Sequence, residues 1–397
     1  MFEHVEYYAG DPILSLNEAF AKDDRPNKVN LGIGVYCDED GKVPLMGSVS
    51  KSIDRLVAKK APHTYLPMDG LPDYRKGALR EVYGDDCAAV KEGRVACMQS
   101  LGGTGALRLG AAFIARWFPG SKVCVSKPTW ANHIAIFEDC GIEVGTYPYY
   151  DKDTGGVMFD RLMESVKGMS AKTVVLLHAC CHNPTGVDLS APQWDELLRL
   201  IQEKDLIPFM DIAYQGLGDG FDRDAYAPRK AAEMGLPLFV SGSFSKNMSL
   251  YGERVGALSV VCPTAKEKDL VQGQLKSAAR KIYSSPCHFG GHVVAGVLSD
   301  ERLRQEWREE VAAMRARIAQ MRRALQDVVS AKVTDRDFSY FTKQRGMFSF
   351  TGLNPEQVEK LKQEHAVYMV KSGRMCVAGL NSRNVERIAE SFIAVLK

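Results

Sequence analysis

Apolar positions in this chain switch repeatedly between two spacings. From Arg94 onward, short apolar runs alternate with stretches whose apolar residues recur every three or four positions. Val95–Met98 predicts a strand and Gly103–Trp117 a helix. Lys122–Ser126 predicts a strand, Trp130–Cys140 a helix and Glu143–Tyr147 another strand. Thr173–His178 is an almost unbroken apolar run, the pattern of a strand buried on both faces. Gln193–Glu203 has helical spacing, and Leu206–Met210 and Leu238–Ser241 are further short strands. Strands alternating with helices argue for a mostly parallel sheet with helices on both sides. The expected fold class is therefore α/β, with three α/β/α layers in its larger part.

The pattern changes at Ser299–Ser330. Leu303, Trp307, Val311, Met314, Ile318, Met321, Leu325 and Val328 step by three or four, which predicts one long helix with a single apolar edge. That edge reads as a core-facing seam linking two domains; a coiled-coil seam is the alternative. Arg315, Arg317, Arg322 and Arg323 fall mostly off the stripe and read as a solvated face. The tail from Phe338 predicts a smaller α+β unit. Its strands are Met347–Phe350 and Arg374–Val377, and its helices Asn354–His365 and Asn381–Leu396.

Composition narrows the class. With 397 residues, 45% hydrophobic and 25% charged, the chain can bury a sizeable core in a large domain with a smaller one attached. A formal net charge of +2 gives no electrostatic reason to expect nucleic acid. Met1–Phe20 carries Glu3, Glu6, Asp11 and Glu18, unlike a signal or transit peptide, and no run reaches the length of a membrane span. Ten cysteines lack a regular framework and read as reduced thiols, so the expected compartment is the cytoplasm.

Candidate chemistry follows from one fold rule. In a parallel sheet, ligands bind outside the carboxyl ends of the strands. Asn183 follows the strand Thr173–His178; Asp211 closes Leu206–Met210, with Tyr214 three residues on; Lys246 follows Leu238–Ser241. Gly102-Gly103-Thr104-Gly105 follows Val95–Met98 and opens a helix, where backbone N–H groups can meet a phosphate. Lys246 stands in Ser243-Phe-Ser-Lys246-Asn, ahead of Arg254. A lysine there can form an imine with an aldehyde while hydroxyls and arginine hold a phosphate nearby. Taken singly, each residue has a plainer reading: a solvated lysine, a helix cap at Asp211, a turn asparagine before Pro184, a core tyrosine, an ordinary tight turn. Trp130 is either a core aromatic or a stacking surface for a flat cofactor. His178-Ala-Cys180-Cys181-His182 matches no zinc-ribbon or finger spacing, so no metal is expected, and His178 reads as a residue behind the cofactor ring.

Ser243-Phe-Ser-Lys246-Asn with Tyr251-Gly-Glu-Arg254, His182-Asn183-Pro184-Thr185-Gly186, Asp211-Ile-Ala-Tyr214 and Gly102-Gly-Thr-Gly105 together resemble the class I aminotransferases. The resemblance is to the aspartate/aromatic-amino-acid subgroup of fold-type-I pyridoxal phosphate enzymes, and runs from Asp11-Pro-Ile-Leu14 to the C-terminus. It implies that Lys246 holds pyridoxal 5′-phosphate covalently and moves the substrate proton, and that Asp211 pairs with the pyridine nitrogen. Asn183 and Tyr214 would bond the ring oxygen, Trp130 would stack on the ring, and Gly103, Thr104, Ser243, Ser245 and Arg254 would bind the phosphate. Tyr65 would reach the phosphate of a neighbouring subunit. Arg374 would clamp the substrate α-carboxylate, helped by the backbone near Gly34. Arg280 would cross a homodimer interface to a distal carboxylate. The implied organisation is an arm over residues 1–10, a small domain over 11–42 and 314–397, and a large cofactor-binding domain over 43–313.

The resemblance implies transamination between an L-amino acid and a 2-oxo acid, with 2-oxoglutarate as acceptor. Arg280 favours dicarboxylates. Cys37, Val43, Thr64 and Ser285 match positions at the pocket mouth where smaller or less polar groups ease entry of an aromatic ring. Dual aromatic and dicarboxylate specificity is therefore expected. A plain aspartate aminotransferase is the first alternative, and a binding protein that keeps the fold without catalysis is a remoter one.

Overall fold

The computed structural model describes residues 1–8 and 10–396. Ala9, inside the expected arm, and Lys397, at the end of the expected small domain, lie outside the described residues. The chain divides into two compact units. The larger comprises Pro44–Arg317 with Gln344–Gly346; the smaller comprises Met1–Val43, Ile318–Lys343 and Met347–Lys397.

The larger unit is built on a seven-stranded sheet. In chain order its strands are β1 (Val95–Leu101), β2 (Val123–Lys127), β3 (Val144–Pro148), β4 (Val174–His178), β5 (Ile207–Ile212), β6 (Leu238–Ser243) and β7 (Val255–Val261). Their spatial order is β1-β7-β6-β5-β4-β2-β3. β7 runs antiparallel to both its neighbours, and every other pairing is parallel. β4 is buried at every position, as its unbroken apolar run requires. Helices α1 (Gly102–Trp117), α2 (Ala131–Glu138) and α3 (Ala265–Ile282) gather on one face. Pro72–Tyr83, Ala191–Glu203 and Tyr226–Glu233 lie on the other, which completes the three layers. The core between α1 and the sheet is filled by Leu109, Ile114, Val174, Leu176, Phe209 and Leu258.

β7 was not among the expected strands. It returns directly from the loop after β6, so no intervening helix marks it off. Its reversal has a positional result. Val255 pairs with Leu101, and Gly256 pairs with both Ser100 and Ser243. The start of β7 therefore lies at the edge where the parallel strands end, and Arg254 is delivered there.

Helix α4 (His288–Ser299) precedes the long helix α5 (Glu301–Lys332). In the larger unit, Leu303, Trp307, Val311 and Met314 are buried, and the Trp307 indole N–H donates to the Asn247 carbonyl at 2.7 Å. In the smaller unit, Ile318, Met321 and Leu325 are buried, and Val329 is the last buried position in place of Val328, which is half-buried. The solvated-arginine expectation fails at Arg322, which is only 3% exposed. Its guanidinium donates to the carbonyls of Phe341 (3.0 Å) and Phe348 (2.6 Å) and to the Ser349 hydroxyl (3.2 Å). A planar fork of five donors suits irregular backbone whose carbonyls have no ladder partner. Arg315 is also half-buried and donates to the Gly216 carbonyl, while Arg323 is exposed.

The smaller unit pairs Val29–Asn30 with Val367–Tyr368 in parallel, and Phe348–Phe350 with Arg374–Cys376 in antiparallel fashion. Asp11 caps helix Pro12–Lys22 by accepting from the Ile13 and Leu14 amides. Asn354 and Gln357 form a reciprocal capping box on Pro355–His365. No helix among the described residues is long and apolar enough to cross a membrane.

Gly110 shows how closely α1 seats on the sheet. A Cβ there would lie 2.5 Å from a ring carbon of Phe209, itself fully buried. Gly110→Ala is expected to destabilise the fold by about 1–3 kcal/mol through overpacking. A lower urea midpoint at unchanged m-value checks this; an unchanged midpoint would contradict it.

Candidate active site

Three groups converge where α1 meets the sheet edge. β1 ends at Leu101 and α1 begins at Gly102, whose φ of +67° suits glycine. A Cβ on Gly102 would lie 2.7 Å from a terminal nitrogen of Arg254, so the guanidinium sits against the helix start. A Cβ on Gly103 would lie 3.4 Å from the Ser243 Cβ. Ser243 and Ser245 are buried, and the Ser245 amide donates to the Ser243 hydroxyl at 3.2 Å. Below them, Gly256 admits no side chain: a Cβ would lie 2.4 Å from the Gly102 carbonyl carbon and 2.7 Å from the Gly242 oxygen. Helix-start amides, two hydroxyls and a guanidinium make an anion cradle. Thr104 is half-buried on the first turn of α1.

Asp211 lies in β5, next to His178 in β4 by register. It is 6% exposed. Its Oδ1 accepts from the Ser241 hydroxyl at 2.9 Å, and its Oδ2 lies 3.1 Å from His133 Nε2. Burial works to raise the carboxyl, but His133, His178 and Ser241 outweigh it and hold the group below its ordinary value. With Asp211 ionised, His133 Nε2 carries the proton. The Thr129 hydroxyl lies 2.9 Å from the ring's other nitrogen, Nδ1. His178 packs between His133 and His182, with ring centroids at 4.9 and 4.2 Å. Burial, then the neighbouring His133, hold its imidazole at about 3, opposed by Asp211. Both its ring nitrogens are buried without a hydrogen-bond partner. His182 is engaged at both nitrogens, by Ser126 (2.9 Å) and Thr185 (2.8 Å). Cys180 and Cys181 do not alternate across a strand, because β4 stops at His178; both are buried.

The turn after β5 carries Tyr214, which is buried. Gln215 pins that turn by donating to the Glu81 (2.7 Å) and Phe221 (3.1 Å) carbonyls, and Asn247 donates to the Gln215 carbonyl at 3.1 Å. Lys246 is half-buried, with Nζ 5.3 Å from the Tyr214 ring centroid. Its loop is anchored by buried Phe244, which packs edge-on against Tyr74. Asn183 is buried beyond the end of β4. Trp130 is half-buried at the N-cap of α2, its ring 5.3 Å from that of His133.

The remaining expected residues lie on other segments. In the smaller unit, buried Arg374 donates to the Gly32 carbonyl at 2.7 Å and lies 4.3 Å over the Phe348 ring. Gly34 meets the same ring, since a Cβ there would be 2.8 Å from its edge. Phe348 thus holds Arg374 and the Gly34 backbone in one cluster. Tyr65 is 93% exposed. Arg280, in the last turn of α3, is exposed and donates to the Ser284 hydroxyl.

His133, Ser241 and Thr129 were missing from the expected site. A lone histidine on the apolar stretch that forms α2, three positions after Trp130, was the available signal. Ser241 gave none, because its partner lies on the adjacent strand.

Residues 26–392 match the family described as aminotransferase class I and II. The chain belongs to the class I and II aminotransferases. It is 52% identical over 399 residues to the aromatic-amino-acid aminotransferase of Escherichia coli (strain K12), covering 100% of both chains. Among solved structures it is similar to a psychrophilic aromatic amino acids aminotransferase from Psychrobacter sp. B6, cocrystallised with aspartic acid. That similarity is 57% identity and a TM-score of 0.99, over 100% of both chains. An aromatic-amino-acid aminotransferase from Burkholderia pseudomallei, covalently bound to pyridoxal phosphate, is 48% identical with a TM-score of 0.98, again over 100% of both chains.

This aminotransferase uses pyridoxal 5′-phosphate. Its residues fit that cofactor. The cradle at Gly102 suits a phosphate, the buried ionised Asp211 suits a protonated pyridine nitrogen, and Lys246 supplies an amine.

His178 sets an acid-side stability term. Its value falls from 6.5 when unfolded to about 3 when folded, so between those values the unfolded chain binds more protons. The stability it protects is full above about 6.5 and declines as pH falls towards about 3. Urea titrations of cofactor-free His178→Phe from pH 7 to 4 should decline less steeply than wild type, by the equivalent of about one proton. Parallel curves would refute it.

Proposed function

We propose that this aminotransferase moves amino groups between an aromatic or dicarboxylic L-amino acid and 2-oxoglutarate, giving the 2-oxo acid and L-glutamate. The observation that carries the chemistry is the Asp211 carboxylate, buried and kept ionised by His133 and Ser241. The substrate range is supported by two relatives: one named for aromatic amino acids, the other an aromatic enzyme cocrystallised with aspartic acid.

Pyridoxal phosphate, when bound, supplies an electron sink for a carbanion at the substrate Cα. Gly103, Thr104, Ser243, Ser245 and Arg254 would hold its phosphate. Asp211 would provide the counter-charge at the ring nitrogen, Asn183 and Tyr214 would donate to the ring oxygen, and Trp130 would stack on the ring. The Lys246 amine would anchor the cofactor. Once free and neutral, that amine would move a proton between the substrate Cα and the cofactor's C4′. Arg374 forks onto the α-carboxylate, beside the Gly34 backbone.

The exposed Tyr65 and Arg280 serve a second copy of the chain. In the homodimer we propose, Tyr65 reaches the neighbouring phosphate and Arg280 the distal carboxylate of a dicarboxylic substrate. The dimer works in the cytoplasm. For its domains we propose an arm over residues 1–10, a small domain over 11–42 and 314–397, and a large domain over 43–313; the two compact units divide slightly later, after Val43 and after Arg317, with Gln344–Gly346 in the larger.

Specificity is tested by kcat/KM for aspartate, tyrosine and phenylalanine with 2-oxoglutarate. The aromatic substrates are expected within about 100-fold of aspartate. A deficit of several orders of magnitude would mark a plain aspartate aminotransferase. Lys246→Ala should abolish turnover while the oligomer persists in sedimentation; robust turnover would remove Lys246 from the proton transfer. Arg280→Ala should cost aspartate roughly 30-fold or more, as loss of a desolvated charge pair does, and phenylalanine far less. Equal losses would mean that the distal carboxylate binds elsewhere.

A further inference from the structure

Lys246 and Tyr214 reach the site from different loops, one after β6 and one after β5. Their side chains meet with Nζ 5.3 Å from the ring centroid. The residue that follows each of them joins the two loops. Asn247 is 2% exposed, and its side-chain amide donates to the Gln215 carbonyl at 3.1 Å. The Asn247 carbonyl accepts from the Trp307 indole on α5 at 2.7 Å. One residue thus ties the lysine loop to the tyrosine turn through its side chain, and to the long helix through its backbone.

Both sides of this join are held. Beyond Gln215, the Gly216 amide donates to an Asp224 carboxylate oxygen at 2.8 Å, and the Gly216 carbonyl accepts from Arg315 at 3.1 Å. In the lysine loop, the Phe244 amide donates to the Val255 carbonyl at 3.1 Å and the Met248 amide to the Phe244 carbonyl at 3.2 Å. Asn247 Oδ1, by contrast, is buried without a hydrogen-bond partner. An apolar side chain would strand no such acceptor, so packing does not account for an amide at this position. What the amide supplies is an N–H donor, and the Gln215 carbonyl decides which of its ends faces the turn.

We propose that Asn247 is a positioning residue that fixes the Lys246 amine relative to the Tyr214 phenol. The inference rests on the roles given above to those two residues. A phenol donating to the cofactor's ring oxygen stabilises the negative charge there. The oxygen then depends less on the proton of the nitrogen that joins Lys246 to the cofactor, and the pKa of that nitrogen is held down. Loosening the two loops weakens the phenol's hydrogen bond and lets the pKa rise. It also displaces the amine, and proton transfer is sensitive to misplacements of about 1 Å.

The test is a spectroscopic titration of the holoenzyme across neutral pH, following the visible band of the bound cofactor. Asn247→Leu should raise the midpoint by about half a unit or more and lower kcat roughly tenfold, with KM for the amino acid little changed. Trp307→Phe removes the indole donor and should move the midpoint the same way by less, which keeps the test open if Asn247→Leu does not fold. Gly110→Ala, destabilised elsewhere in the core, should keep the wild-type midpoint. A wild-type midpoint in the loop variants that fold, or an equal shift in Gly110→Ala, would overturn the assignment. A wild-type band indifferent to pH would overturn the roles of Lys246 and Tyr214 themselves, and this inference with them.

Discussion

An ionised carboxylate inside a protein is tolerated only when its surroundings supply what water would have supplied. Asp211 meets that condition through the Ser241 hydroxyl on the adjoining strand and the His133 imidazole from a helix above the sheet. The Thr129 hydroxyl in turn engages the other ring nitrogen of His133 and holds the ring's orientation. The rest of the larger unit can be understood as the frame that keeps these groups in register. Parallel pairing of β5 with β4 and β6 sets His178 and Ser241 on either side of the acid. The first turn of α2 supplies the third partner.

The same sheet edge collects opposite chemistry within a short span. The acid end is at Asp211. The anion cradle lies at Gly102, Ser243 and Arg254, and the lysine loop follows β6. One geometric device makes this possible. Reversing β7 between β1 and β6 turns the beginning of a strand towards the edge where its neighbours finish. An arginine just ahead of that strand is thereby brought to a place that strand-end residues alone would not fill.

Much of this was legible in the sequence, because fully buried parallel strands and amphipathic helices leave unmistakable spacing. The lysine, the aspartate and the glycine turn could be gathered at one crevice from strand ends alone. What escaped depends on partners distant along the chain. His133 reads as one polar residue on an apolar helix until β5 is seen beneath it. Ser241 looks like any strand serine until Asp211 stands beside it. Arg322 looked solvated because spacing along a helix cannot reveal the carbonyls of Phe341 and Phe348, which arrive from later in the chain. β7 escaped for another reason: a strand that enters without its own helix breaks the alternation by which its neighbours were recognised.

Gly256 carries a lasting consequence. The backbones of Gly102 and Gly242 close so tightly over it that every amino acid with a side chain would part β7 from its neighbours. The floor beneath the anion cradle is thus frozen for any descendant of this chain. Divergence in what the protein accepts has to arise from the walls and the entrance, where a side chain can be exchanged without dismantling the sheet.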